Sequence, residues 1–312
     1  MSPLRRVRVE ARAKLNLGLA VGPRRPDGFH ELATIFQSVS LADTLVAERR
    51  RRGLSLEVRH ETAAARGALA ARTRAAVPPG PGNLVLRAAR LALGHAGIAG
   101  GVHFHLTKRI PAQAGLGGGS ADAAAALVAV FTLFGLRVPL ADRLSLGAEL
   151  GSDVPFALFG GTALGLGRGE RLTRLAAGPP FRAVIAVPRW RVATAGAFRE
   201  LDRSRYALTR WDAKLRLAKV AGGMGLWPYR ALRMGNSFEE ALGTRRQSFV
   251  GICTRLSEAG VRDPHLTGSG SAVFGVLGPR LSARKVLDRF AGNETLYIVR
   301  STGSGLRIRR QS

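Results

Sequence analysis

The chain has 312 residues, 46% of them hydrophobic, which is enough for one large or two ordinary globular domains with real cores. Its single cysteine, Cys253, excludes an intramolecular disulfide and a cysteine-rich zinc site. The sequence contains no apolar run of about 18 residues and no secretory signal pattern after Met1, so we expect a cytoplasmic protein that does not enter a membrane.

The formal net charge of +27 suits a nucleic acid, an anionic lipid or an anionic small substrate as partner. Apart from Arg49 to Arg52 and a basic tail, the arginines are scattered and are not interleaved with aromatic residues, as single-strand binding would favour. We therefore interpret the charge mainly as a compositional bias. Nonspecific binding to polyanions is expected at low salt, and no specific nucleic-acid partner is predicted.

The first predicted element is a strand. Apolar and polar residues alternate strictly over residues 7–19, so Lys14 and Asn16 leave the strand from the same face. This polar face is either solvated or part of a site, and the pattern leaves both open. Residues 22–28, GPRRPDG, predict the turn or hairpin connection that follows.

Helices and a further strand follow in the first half. Residues 62–82 predict a surface excursion that ends in a Pro/Gly loop, and Asn83 opens a helix. Residues 101–110 alternate again as a strand. The next helix is expected to have Ser120 in its N-cap region and to stop at Gly135.

The order of these elements predicts an α+β fold, because strands come early in each half and helices are inserted between them without regular alternation. The second half contains the strand-like segment RAVIAVP, a second glycine-rich turn, LTGSGSAVFGVLG, and a closing strand-helix-strand pattern. A boundary near residue 165 divides the chain into an N-terminal domain, 1–165, and a C-terminal domain, 166–312.

The segment IPAQAGLGGGSADAAAAL, which starts at Ile110, brings bare backbone N–H groups to the start of a helix, and this geometry suits a phosphate. A flexible turn or close helix packing would also explain a glycine cluster. The Walker A pattern is excluded because Ser120 follows Gly119 without a lysine. The pattern G-x-G-x-x-G is excluded because its last position falls on Ser120 or Asp122.

This glycine loop resembles the P-x-x-x-G-L-G-S/G-S-A/S motif of the GHMP kinase superfamily. AKLNLGL, from Ala13, and LTGSGSAVFGV, from Leu266, resemble the first and third motifs of that superfamily. The resemblance implies an N-terminal domain of the ribosomal protein S5 domain 2-like kind and a ferredoxin-like C-terminal domain. It also implies ATP as phosphate donor, with Mg²⁺.

Within the superfamily, most of the chain is similar to one branch, and the segment DGFH at 27–30 is its most discriminating match. That branch phosphorylates the 2-hydroxyl of a cytidine diphosphate derivative of methylerythritol, in non-mevalonate isoprenoid precursor biosynthesis. The resemblance implies the same activity here.

The resemblance also implies the site residues. Asp153 matches the base that accepts the hydroxyl proton, and Lys14 matches its partner, although an N-cap or turn aspartate would also suit the Gly-Ser context of Asp153. The implied ATP-binding residues are Asn83, Lys108, Pro111, Gly115, Leu116, Gly117, Gly118, Gly119 and Ser120. The implied substrate-binding residues are Asn16, Asp27, Phe29, His30, Thr194, Phe198, Gly268, Ser269 and Gly270.

Three of the implied substrate residues have a physical reason to contact cytosine. The rings of Phe29 and Phe198 are expected to stack on cytosine, while the segment at His30 hydrogen-bonds the edge of the base. For an isolated phenylalanine, packing in the core is the usual alternative.

No acidic cluster in the sequence marks a metal site. His103 and His105 share a strand face, and without acidic partners we interpret them as structural, so no metal-ligating residues are predicted. The segments 62–82 and 202–236 match the family poorly and leave the substrate side undefined. Two alternatives stay open: another small-molecule GHMP kinase, such as a homoserine kinase, and a basic RNA-binding protein on the same fold. The expected oligomeric state is a monomer or a homodimer.

Overall fold

The structure is a computed structural model that describes residues 4–61, 77–176, 178–204 and 228–311. The excursion predicted for 62–82 lies outside the described residues as far as position 76. The strands of the described chain are β1 (Arg6–Arg24), β2 (His30–Arg50), β3 (Leu54–His60), β4 (Gly101–Lys108), β5 (Thr162–Gly167), β6 (Arg171–Arg174), β7 (Arg182–Val187), β8 (Arg262–Leu266), β9 (Val273–Leu277), β10 (Thr295–Arg300) and β11 (Leu306–Gln311).

Helices lie between these strands, as expected for an α+β fold. They are α1 (Leu84–His95), α2 (Gly118–Leu133), α3 (Leu140–Leu150), α4 (Val154–Phe159), α5 (Thr194–Arg203), α6 (Tyr229–Leu232), α7 (Arg246–Glu258) and α8 (Ala283–Arg289), with 3-10 turns at Ser237–Ala241 and Gly243–Arg245. Within the described ranges, none of the helices combines the length and the apolar character needed to cross a membrane.

Two sheets organise these elements. The larger sheet has seven strands: its main path is β11-β1-β2-β4-β3, and β5 pairs with β2 and with β6. The smaller sheet has the order β10-β7-β9-β8. Neighbouring strands are antiparallel except β3 and β4, which run parallel. Because β6 and β11 follow residue 165 and still join the larger sheet, the sheets do not separate at that point. The domain division 1–165 and 166–312 stays a prediction.

The first strand connects the hydrophobic cores of the molecule. Val7 and Val9 pack in the core beneath α1 and α2, Leu15 and Leu17 in a second core between the sheets, and Val21 in a third core beside α5 and α7. Near its N-terminal end, β1 is therefore covered on one face. Further along, it is covered on both faces.

This change of environment decides whether the polar face of β1 is solvated or enclosed. Lys14 is 7% exposed and Asn16 is 4% exposed, so the solvated-face interpretation is wrong for these residues. The backbone N–H of Lys14 donates to the carbonyl of Leu116, and the N–H of Asn16 donates to Oγ1 of Thr267. The two glycine-rich segments therefore cover the face that the alternation pattern left open.

The helix after the glycine loop starts earlier than the sequence predicted. Gly117 is its N-cap residue, with φ 71°, and Ser120 lies three residues further on, so Ser120 is in the first turn but is not the capping residue. Glycine reaches this left-handed conformation without a steric penalty, whereas a serine at the cap would act through its hydroxyl. The prediction for Asn83 is confirmed, since its Oδ1 accepts a hydrogen bond from the N–H of Val85 at 2.9 Å, at the start of α1.

A buried charge cluster anchors the start of α2 to the sheet. Nζ of Lys108 donates to Oδ2 of Asp122 at 2.6 Å and also to Asp43, whose other oxygen accepts from the N–H of Ile110 at 2.8 Å. Burial alone would lower the pKa of Lys108, but the carboxylates of Asp122 and Asp43 outweigh burial and raise that pKa. One ammonium faces two buried carboxylates, and burial raises the pKa of the Asp122 carboxyl.

The role of Lys108 in this cluster leads to a stability prediction. Lys108→Met keeps the length of the side chain but leaves two buried carboxyl groups without a counter-charge, so we expect the free energy of unfolding to fall by about 3–5 kcal/mol. Urea denaturation measures the change. Lys285→Met, at an exposed position on α8, is the matched control and should change stability by less than about 0.5 kcal/mol. Equal stability of the two variants would contradict the anchoring role.

Candidate active site

One cavity of about 1230 Å³ brings the predicted residues together. It opens between the glycine loop, β1, the turn before β2, α5 and the third motif. The predicted site residues that line it are Lys14, Asn16, Phe29, His30, Asn83, Lys108, Pro111, Gly115, Leu116, Gly117, Gly118, Gly119, Ser120, Asp153, Thr194, Phe198, Gly268 and Ser269. These residues come from both halves of the chain.

Two predicted substrate-binding residues do not line the cavity, and each has a local role in its turn. Oδ1 of Asp27 accepts the N–H of Phe29 at 3.1 Å, and the Asp27 carboxylate pairs with Arg25 at 3.0 Å. The N–H of Gly270 donates to the carbonyl of Thr267 at 3.0 Å within the third motif. The structure therefore supports these residues as shapers of the two turns.

The centre of the cavity holds a lysine and a carboxylate. Nζ of Lys14 lies 3.5 Å from Oδ2 of Asp153 and donates to Oδ1 of Asn16 at 2.5 Å. Nδ2 of Asn16 donates in turn to Oγ1 of Thr34 at 2.8 Å, so the amide is held in one orientation. Asp153 stands at the N-cap position of α4 but makes no capping hydrogen bond, which argues against the N-cap interpretation of its carboxylate.

The glycine loop and the third motif touch each other beside Lys14. A Cβ atom on Gly115, at φ 76°, would collide with the carbonyl of Thr267, and one on Gly117 would lie 2.9 Å from Cγ of Lys14. A Cβ atom on Gly268 would lie 2.9 Å from the carbonyl oxygen of Gly115. Only bare backbone allows this approach, and it leaves the N–H groups at the start of α2 facing the cavity.

The opposite end of the cavity is aromatic. The ring of His30 stacks on that of Phe198, with centroids 5.1 Å apart, and Phe198 meets Phe238 edge-on at 5.0 Å. Phe29 is 51% exposed, and the guanidinium of Arg168 lies 4.8 Å from its ring centroid. Phe29 is therefore not a core residue, whereas Phe198 packs against the third core while also lining the cavity.

The imidazole of His30 is held between two acceptors. Its Nδ1 lies 3.1 Å from the carbonyl oxygen of Gly22, and its Nε2 lies 3.1 Å from Oδ1 of Asp202. Both neighbours are acceptors, so both contacts are hydrogen bonds only when the ring carries two protons. Because these partners engage both ring nitrogens, the imidazole itself does not offer a free nitrogen to a base edge.

The sequence interpretation missed several residues at this site. Asp202 and the cationic residues Arg24, Arg168 and Arg199 line the aromatic end of the cavity. Asn236 lies just behind it and donates to the carbonyls of Leu266 and Gly268 at 2.9 and 2.8 Å, which holds the third motif in place. The arginines had no distinguishing signal because arginine is abundant throughout this chain. The acid of FRELD, four residues after Phe198 on a helix, was a signal that could have been used.

Two of the predicted ATP-binding side chains have structural partners. Lys108 is engaged by Asp43 and Asp122, and Asn83 caps α1 while its Nδ2 donates to the carbonyl of Pro78 at 2.7 Å. On the substrate side, Oγ1 of Thr194 lies 3.2 Å from Oγ of Ser269, so α5 meets the third motif at the wall of the cavity.

Comparisons with known proteins agree with this architecture. Residues 83–161 match the GHMP kinases N terminal domain. The chain is 38% identical over 300 residues to a 4-diphosphocytidyl-2-C-methyl-D-erythritol kinase of Solibacter usitatus, covering 95% of this chain and 89% of that protein. It superimposes on a crystal structure of 4-(cytidine 5'-diphospho)-2C-methyl-D-erythritol kinase with a TM-score of 0.72 and 36% identity, covering 95% of this chain and 100% of the other.

A homoserine kinase structure from Cytophaga hutchinsonii has the same TM-score, 0.72, over 97% of both chains, but its 21% identity shows only the shared fold. The α+β prediction and the GHMP kinase fold are thus confirmed. With 38% identity across nearly the whole of both sequences, the chain belongs to the 4-diphosphocytidyl-2-C-methyl-D-erythritol kinase family of the GHMP kinases.

Proposed function

We propose that this protein transfers the γ-phosphoryl group of ATP to the 2-hydroxyl of 4-diphosphocytidyl-2-C-methyl-D-erythritol, giving the 2-phosphate and ADP. One observation carries the proposal: a single cavity joins the glycine loop, the Lys14–Asp153 pair and the aromatic group around Phe198. A phosphate end, a reacting centre and an end suited to a flat base follow one another in the order that the two substrates require.

The reacting centre is built to accept one proton and to hold one hydroxyl. The carboxylate of Asp153 takes the proton as the hydroxyl oxygen attacks the γ-phosphorus, and the bond from that phosphorus to the bridging oxygen of ADP breaks. The ammonium of Lys14 contacts both Asp153 and Asn16, so its positive charge is placed to stabilise the negative charge on the transferring group.

The glycine loop receives the ATP phosphates. Its N–H groups and the N-terminal end of α2, a helix of 16 residues, favour an anion at this end of the cavity. Phosphoryl transfer depends mainly on positioning and on charge stabilisation, both of which a rigid loop provides. Contact with the third motif supports that rigidity, because neither segment can move without displacing the other.

The aromatic end receives the cytidine diphosphate part. The exposed ring of Phe29 is free to stack on the base, and the backbone of the same turn supplies hydrogen-bonding groups. His30 contributes a ring fixed in orientation by Gly22 and Asp202. Arg24 and Arg199, also at this end, face the space in which a diphosphate would lie.

Mg²⁺ is proposed as the companion of ATP. Kinase sites hold this ion with one or two carboxylates together with phosphate oxygens, and the cavity offers Asp153 and the neighbouring Asp122. Oδ1 of Asp122 is buried and has no hydrogen-bond partner among the residues that the structure describes, whereas Oδ2 accepts from Lys108. The ion would supply charge neutralisation of the phosphates. A cytoplasmic location and a monomeric or homodimeric state stay predictions.

A comparison of substrates tests the proposal. A coupled assay of ADP release with 4-diphosphocytidyl-2-C-methyl-D-erythritol, homoserine and mevalonate should show turnover of the first alone. Turnover of homoserine alone would assign the alternative kinase. Salt-sensitive RNA binding without turnover of any of the three would favour the RNA-binding alternative.

Removal of the base gives a prediction for the chemical step. Asp153→Asn should lower kcat by about 10²–10⁴-fold, because the amide cannot accept the hydroxyl proton, and should leave ATP binding largely intact. Steady-state kinetics and a nucleotide-binding titration measure the two effects. Asp142→Asn, an exposed aspartate in the first turn of α3, is the control and should retain full activity. Normal kcat in Asp153→Asn would refute the assigned base.

Asp202 gives a prediction for the substrate end. Asp202→Asn removes the charged partner of His30 and should raise the KM for the cytidine substrate about tenfold, with kcat and the KM for ATP nearly unchanged. Glu200→Gln is the matched control because Glu200 lies on the same helix and pairs only with Arg203 among the described residues. An equal KM in both variants would argue against a role for Asp202 in binding.

A further inference from the structure

A second cluster of ionisable side chains lies on the outer face of the larger sheet, which is the face away from α2. Residues of β4 alternate: Phe104 and Leu106 enter the core, and His103 and His105 face outward. The parallel pairing of β3 with β4 sets Glu57 beside His105 and Ser55 beside His103. The premise that the two histidines lack acidic partners is therefore wrong, because the acid comes from a strand about 50 residues earlier.

The donor atoms of this cluster converge. Oε1 of Glu57 lies 3.5 Å from Nε2 of His103, and Oε2 lies 3.1 Å from Nδ1 of His105. All three side chains offer a ligand atom within 4.8 Å of the others, and no further group of three such residues occurs in the described part of the chain. Tetrahedral bonds of about 2.0–2.2 Å would set ligand atoms about 3.3–3.6 Å apart, so the three donors, which lie within 4.8 Å of one another, would draw closer together when an ion enters.

The surroundings of the histidines favour metal ligation. Oγ of Ser55 lies 2.6 Å from Nδ1 of His103, so Nε2 is the nitrogen left to face Glu57. Oε1 of Glu48 lies 3.9 Å from Nε2 of His105, which leaves Nδ1 as the nitrogen that faces the same point. Metal-binding histidines usually have a hydrogen-bond partner at the second ring nitrogen; Ser55 supplies one for His103, whereas the Glu48 carboxylate near His105 lies beyond hydrogen-bond distance.

The two histidines are carried by a strand whose position in the sheet is fixed. β4 is an interior strand between β2 and β3, and the buried residues on its inner face prevent a shift in register. β3 is at the edge of the sheet and carries the third donor, Glu57. The side chains are 15%, 41% and 70% exposed for His103, His105 and Glu57, so an ion can reach them from solvent.

We propose that His103, His105 and Glu57 form a binding site for a divalent transition-metal ion, Zn²⁺ in particular, that ties the edge strand β3 to β4. Two imidazoles and one carboxylate, with a remaining position for water, are a donor set typical of zinc. The site is separate from the cavity of the kinase reaction and does not depend on the proposed function.

Zinc uptake by the full-length, untagged protein tests the proposal. After removal of metal with EDTA, the chain is dialysed against micromolar Zn²⁺ and the zinc bound per chain is measured by atomic spectroscopy. We expect one zinc per chain, a visible absorption spectrum of four-coordinate cobalt when Co²⁺ is used instead, and a melting temperature that rises with Zn²⁺ concentration.

Variants assign the site. His103→Ala, His105→Ala and Glu57→Gln should each weaken zinc binding by at least about tenfold and abolish the cobalt spectrum. His95→Ala, an exposed histidine on α1, is the matched control and should bind zinc normally. Cys253 is a poor competitor because burial raises the pKa of its thiol to about 12.

Two results would overturn the proposal. One is zinc uptake in the double variant His103→Ala/His105→Ala that equals that of the wild type. The other is a wild type that retains no zinc at micromolar concentration. Melting curves without metal show whether each variant is folded, so that a loss of binding is not confused with a loss of structure.

Discussion

The close approach of three backbone segments around Lys14 is the constraint on which the site depends. The strand β1, the glycine loop and the third motif meet where Gly115, Gly117 and Gly268 have no side chains. Any Cβ atom at these positions would push the loop away from Lys14 or from Thr267. This contact holds the glycine loop against Lys14, which lies 3.5 Å from Asp153 at the start of α4.

The buried lysines of the site also depend on how the surrounding segments enclose them. Lys14 and Lys108 are buried, and each is compensated by carboxylates within hydrogen-bonding or ion-pair distance. Both lysines line the cavity, but Lys14 faces Asp153 across it, while Lys108 fastens α2 to the sheet through Asp122 and Asp43. Most of the net charge of +27 is arginine, and the arginines at the substrate end add to a site that already suits anions.

Much of the site was predictable because its parts are local in sequence. The period-two pattern of β1 and the glycines before α2 can each be recognised in a short stretch of sequence. Contacts between distant residues were not readable in this way. Asn236 beneath Gly268 and Glu57 beside His105 are pairings whose separation in sequence carries no periodic or spacing signal, and the spacing of Asp202 from Phe198 does not show that Asp202 meets His30. Ser120 illustrates a local shift, because the left-handed conformation of Gly117 started the helix before the expected polar cap.

The sequence by itself determined several of the strands, the bare backbone of the glycine loop and the family, since alternation, glycine content and motif order are properties of short segments. Only the tertiary structure decided which polar residues are enclosed and what they touch. Lys14 and Asn16 look like an ordinary solvated strand face until two remote glycine segments cover them, and His30 looks free until Gly22 and Asp202 engage both its nitrogens. Burial and pairing depend on what the rest of the chain brings to a residue, and no short window of sequence contains that information.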